Sequence, residues 1–258
     1  MKPPFRSYLT RCALSIALVA LPTAAFAGEA DCGPLKNHYG PFDYRTTSPE
    51  QRTLVEGAHF TQKVESLSGG NTSITAGGDM NYTLKVYPNH HRALMAVIKL
   101  SEKEKRDKPH DMIYTVACWF DRAERFRPDD GTVKMLHGIY LIRKGKAEAA
   151  ADKLEQASAL AGENANITYN LGLAYFDLKQ YDKSLASAHA AYALGFPLPG
   201  LRDKLKRAGK WSEPMPVAVN QPKMPEITSQ GEASSGTPAS TPIMKNGEPA
   251  GAASSPAN

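Results

Sequence analysis

Residues 165–194 read ANITYNLGLAYFDLKQYDKSLASAHAAYAL. Within this stretch Gly172 repeats Gly138 at a distance of 34 residues, and Ala191 closes the series Ala123, Ala157, Ala191 at the same step. Phe126, Leu160 and Leu194 keep it too. Small and apolar positions that recur at this period mark stacked helical hairpins, each burying its apolar face only against its neighbours. Such arrays present long concave surfaces suited to gripping other polypeptides. The chain has no stretch of alternating strand pattern. The expected class is therefore all-α, a short solenoid of antiparallel helical hairpins.

Pro88-Asn89-His90, Pro128-Asp129-Asp130 and Gly162-Glu163-Asn164 read as the turns between hairpins, which sets units at 91–130, 131–164 and 165–198. The first unit is 40 residues long against 34 for the others, and the charged run Glu102 to His110 is expected to hold the excess. Gly138 and Gly172 each cost about 1 kcal/mol relative to alanine inside a helix. They therefore need a reason in close helix approach, with Ala150 and Ser184 small on the opposing helix. Leu198, Leu201, Leu205 and Ala208 give the apolar side of a capping helix over 199–211, with Lys and Arg outward and Trp211 at its end.

Thr168-x-x-Leu171-Gly172-x-x-Tyr175, followed by Tyr181, Ser184 and Ala191, resembles a tetratricopeptide repeat. Gly138, Leu141, Gly145, Ala150, Leu154 and Ala157 carry the resemblance in the middle unit, and Phe120, Ala123 and Pro128 in the first. Thr168 and Lys134 stand where the family has tryptophan, and Ile98 where it has a small residue. The resemblance covers about 120 of the 258 residues. It implies a concave face built by the first helix of each unit: Thr132, Met135, Ile139, Ile142 and Arg143, then Asn166, Tyr169, Leu173, Phe176 and Asp177. That apolar face with a few polar handles suits an extended peptide or amphipathic helix. The same residues could instead pack against a neighbouring helix or the N-terminal segment.

Ahead of the repeats lies a less regular segment, 28–90. Ser48, Pro49 and Gln51 form a capping box for a first helix, and Leu54, Val55, Ala58, Val64 and Leu67 continue an apolar stripe. One or two short helices are expected, then a polar loop from Asn71 to Gly78. Leu84, Val86 and Pro88 read as the tail of a degenerate earlier unit.

Lys2, Arg6 and Arg11, the apolar run Cys12–Leu21 and Ala25-Phe26-Ala27 spell a signal peptide over 1–27 cleaved after Ala27. The apolar run is roughly half the length of a membrane span, so a periplasmic or secreted chain without a span is expected. Cys32 follows Asp31 rather than a small residue, which argues against a lipid anchor. The whole-chain charge of +5 (31 Lys+Arg, 26 Asp+Glu) falls to +2 when the three leader cations are removed. A nucleic-acid partner thereby loses its compositional support. Two cysteines remain, Cys32 and Cys118. In an oxidising compartment they invite a disulfide, although Cys118 beside Ala117 and Trp119 could also be a small core residue. Residues 212–258 hold eight of the 19 prolines and no aromatic residue, the composition of a disordered tail.

Chemistry is hard to find. His90 and His91 are adjacent and lack the spacing of a metal site, with no His-x-x-x-His or Cys-x-x-Cys nearby. Glu56-x-x-His59 and Asp79-x-x-Tyr82 could act as acid–base pairs, but no nucleophile elbow or phosphate loop accompanies them. No cofactor and no metal are expected. The reading is a non-enzymatic adaptor that binds another envelope protein or peptide through the concave face. The alternative is a small enzyme or ligand-binding protein whose pocket is built by the N-terminal segment against the repeats, lined by Tyr39, Phe42, Tyr44 and His59.

Overall fold

A computed structural model describes residues 32–214. The expected leader and most of the expected tail lie outside the described residues. Among the described residues the structure is entirely helical: α1 (Pro49–His59), α2 (Gln62–Glu65), α3 (Ala76–Val86), α4 (His91–Glu104), α5 (Val116–Phe126), α6 (Gly131–Arg143), α7 (Ala147–Ala161), α8 (Ala165–Asp177), α9 (Tyr181–Ala193) and α10 (Gly200–Arg207).

The helix starts follow from capping chemistry. The first N–H groups of a helix have no partner within it, so a side-chain acceptor just before it stabilises the start. Asp130 accepts from the Thr132 and Val133 N–H groups, and Asn164 accepts from Asn166 and Ile167. His90 caps α4 through Nδ1, which accepts from the Ala93 N–H at 3.1 Å. Ser48 caps α1 by accepting from Gln51.

Neighbours in sequence are neighbours in space. Helix α6 packs on α7 across a three-residue turn, α7 on α8, and α8 on α9, while α4 touches α5 and α6 and α10 covers both α8 and α9. One apolar core runs from Phe60 and Val64 through α3, α4 and α5 to Leu154 and Ala174. A second joins Tyr169, Ala188 and Ala191 to Leu201 and Leu205 of α10. The two spaced glycines sit at close approaches: a Cβ on Gly138 would lie 2.5 Å from Leu154 Cγ, and one on Gly172 2.5 Å from Leu201 Cδ2. Ser184 donates to the Gly172 carbonyl at 2.8 Å, tying α9 to α8.

Three local expectations are revised. The polar loop ends at Thr75, because Gly77 and Gly78 lie inside α3. A Cβ on Gly77 would sit 2.0 Å from the His110 carbonyl oxygen, so these glycines serve close contact rather than a flexible turn. The extra residues of the first unit form the non-helical connection 105–115. Leu198 lies ahead of α10 and is exposed, leaving Leu201 and Leu205 as its buried side.

Residues 32–47 form a strap fastened along the helices. Cys32 is disulfide-bonded to Cys118 of α5, with 5.0 Å between Cα atoms. Arg122 Nη1 donates to the carbonyls of Cys32, Gly33 and Pro34 at 3.0, 3.3 and 2.7 Å. Further along, the Phe42 N–H donates to the Val86 carbonyl, and the Tyr44 N–H to Asn89 Oδ1.

Candidate functional site

The expected concave residues pack in part against the chain itself. Tyr169 is only 8% exposed. Its ring stacks on Phe196 at 4.0 Å and its hydroxyl accepts from the Leu201 N–H. Leu173 and Phe176 pack into the same cluster, and Asp177 takes the Lys204 ammonium at 3.1 Å. On α6, Met135, Ile139 and Ile142 are partly buried against the main core, and Arg143 pairs with Glu102 of α4 at 2.6 Å. Thr132 is half-buried and Asn166 is exposed. Helix α10 thus covers part of the face on α8, and α4 meets α6 through Glu102 and Arg143, while of the ten residues only Tyr169 is buried.

The N-terminal segment builds a different site. Leu54, Val55, Ala58 and His59 of α1, Tyr82 of α3 and Tyr39 of the strap line a recess of about 330 Å³. Two residues of the expected pocket group, Tyr39 and His59, are in it. Phe42 packs near Tyr87 instead, and Tyr44 stacks on His90 at 4.0 Å while donating its hydroxyl to Glu56. Leu54 is 66% exposed and Tyr82 37%, so the rim is apolar and open. Leu54 was read on one apolar stripe with Val55, yet of the two only Val55 is buried.

His59 shares this recess with the phenols of Tyr39 and Tyr82, and its orientation is set from behind. Nδ1 lies 2.9 Å from Oδ1 of the fully buried Asp79. The other Asp79 oxygen accepts the N–H groups of Asn71, Thr72 and Ser73 at 2.6, 3.1 and 3.0 Å. Burial alone would raise this carboxyl, but the backbone donors and His59 hold it below its ordinary value. An ionised Asp79 makes Nδ1 of His59 the protonated nitrogen. Tyr82 covers the imidazole at 4.0 Å.

The remaining conspicuous histidines are each bound to a separate carboxylate. His90 accepts at Nδ1 and therefore donates from Nε2 to Glu56 at 2.9 Å. Burial pushes its pKa down, so it is a neutral cap. His91 meets Asp130 at 2.9 Å. Among the described residues no cluster of three or more His, Cys, Asp and Glu side chains is placed to hold a metal ion. These polar contacts join the strap to two helix starts: Asn89 donates to both Asp43 and Asp130 at 2.7 and 3.0 Å.

No protein-family model, no curated protein and no solved structure matches the chain. The chemistry of the N-terminal face is therefore what supports a functional reading.

Proposed function

We propose that the protein is an exported, non-enzymatic adaptor of the bacterial periplasm that holds another polypeptide, built on a tetratricopeptide-like solenoid. The repeat resemblance and the consecutive contacts of α6 to α9 support the scaffold. The leader-like sequence at 1–27 and the Cys32–Cys118 bond support an oxidising compartment. The observation that carries the binding reading is the open apolar rim of Leu54 and Tyr82, beside a recess whose lining has no Ser, Thr, Cys, Asp or Glu. An aliphatic or aromatic anchor from a partner would fill such a lining. Since α10 covers part of the concave face on α8, we place the partner on α1 and α3.

Site-specific photocrosslinking in the native envelope tests this. A crosslinker at Leu54 or Tyr82 should capture a defined polypeptide that one at Leu160, also exposed, does not. Capture from Asn166 but from neither Leu54 nor Tyr82 would return the partner to the concave face.

A further inference from the structure

A second recess, of about 420 Å³, opens beside the first and has the opposite character. Its walls include Lys36 and His38 of the strap, Lys85 of α3, Ile113 and Tyr114 of the connection before α5, and Arg122 of α5, with no carboxylate in the lining. Lys85 is one helical turn beyond Tyr82, about 5 Å along α3, so the two recesses are adjacent.

Arg122 is the unusual member. It is 2% exposed, and no acidic side chain pairs with it among the described residues. A guanidinium carries five N–H donors, yet the three strap carbonyls all converge on Nη1, and the buried Nε has no partner among the described residues. Asp121, next to it in sequence, is held by Arg125 at 2.7 Å. The Tyr114 ring lies 4.7 Å from the Arg122 guanidinium carbon and fixes its plane. Lys36, His38 and Lys85 likewise enter no ion pair among the described residues.

Gathering like charges without a counter-charge is unfavourable, and a bound anion reverses that cost. The planar fork of arginine matches a carboxylate, and Ile113 and Tyr114 supply an apolar wall beside it. We propose that this recess is a binding site for a carboxylate carried on an apolar or aromatic body. In an adaptor this would add a chemical requirement, an acidic or carboxyl-terminal group next to the apolar anchor. The site is testable without any partner, so its failure is distinct from a failure of the crosslinking experiment.

The full chain would be titrated calorimetrically with benzoate and with inorganic phosphate at low salt. Saturable binding of benzoate in preference to phosphate is expected. It should weaken by about tenfold or more in Lys36→Gln/Lys85→Gln and recover in Lys36→Arg/Lys85→Arg. Lys36 is exposed and Lys85 half-buried, so unchanged melting of the variants separates loss of binding from loss of fold. A phenylalanine-ended peptide with a free carboxyl terminus, compared with its amide, then tells a polypeptide source from a free acid. No benzoate binding, binding indifferent to the double glutamine change, or preference for phosphate would each overturn the proposal.

Discussion

Gly172 and Gly57 both lie in helices, but their surroundings oppose each other. A Cβ on Gly172 would meet Leu201 Cδ2 at 2.5 Å and Ser187 Cβ at 3.1 Å, whereas one on Gly57 would meet nothing within 4 Å. Alanine gains up to about 1 kcal/mol over glycine inside a helix, but overfilling a tight contact costs about 1–3 kcal/mol. Gly57→Ala should therefore raise the denaturation midpoint, by up to about 1 kcal/mol in stability. Gly172→Ala should lower it by about 1–2 kcal/mol, because fully buried Leu201 has little room to retreat. A Gly172→Ala midpoint in urea denaturation equal to or above that of the unaltered protein would show that the α8–α10 contact is looser than the structure has it. Each of the two spaced glycines meets its own close neighbour, Leu154 at Gly138 and Leu201 at Gly172, where propensity alone would favour alanine.

At the scale of elements, Glu124 of α5 ties together two helices that follow it. His137 of α6 reaches it at 2.5 Å and Lys153 of α7 at 2.5 Å, while the His137 ring stacks on Phe120 at 4.8 Å. Burial opposes ionisation of Glu124, but the His137 and Lys153 contacts overcome it and bring the pKa from 4.5 down to about 2. A carboxyl lowered on folding stabilises fully above its unfolded value and loses that contribution as pH falls through its folded one. Stability should thus decline between pH 4.5 and about 2. Glu124→Gln should flatten that decline and cost about 1–3 kcal/mol at neutral pH, read from urea midpoints across the pH series. A Gln variant with an undiminished acid slope would assign the decline to other carboxylates. None of this triad was singled out from the sequence, since its members come from three helices with no shared motif.

For the whole molecule, the strap decides how the N-terminal segment meets the helices. Its disulfide spans 86 residues, and closing such a loop stabilises by about 4.6 kcal/mol in the chain-entropy treatment. Reduction, or Cys118→Ser, should lower thermal stability accordingly and expose residues 33–44 to limited proteolysis. The Arg122 contacts alone would have to hold the strap if cleavage were the same with and without reductant. Both recesses depend on this fastening: Tyr39 closes one, and Lys36 and His38 line the other. A reduced protein should accordingly also lose benzoate binding.

Helix class and the starts of α1, α4, α6 and α8 were readable from the amino-acid order, because they rest on local rules: a 34-residue period, turn residues between units, and Ser48 placed to accept a first N–H group. The glycines inside α3 defeated those rules, since a carbonyl 33 residues away, that of His110, requires the missing side chain. Occupancy of the concave face was likewise undecidable locally. Period alone cannot say whether Tyr169 and Phe176 meet a visitor or the chain's own α10, which depends on where Pro199 turns the backbone back. The basic recess was the least legible feature of all. Its basic side chains stand at 36, 38, 85 and 122, and only the long-range fastening of the strap to α5 brings them around one space.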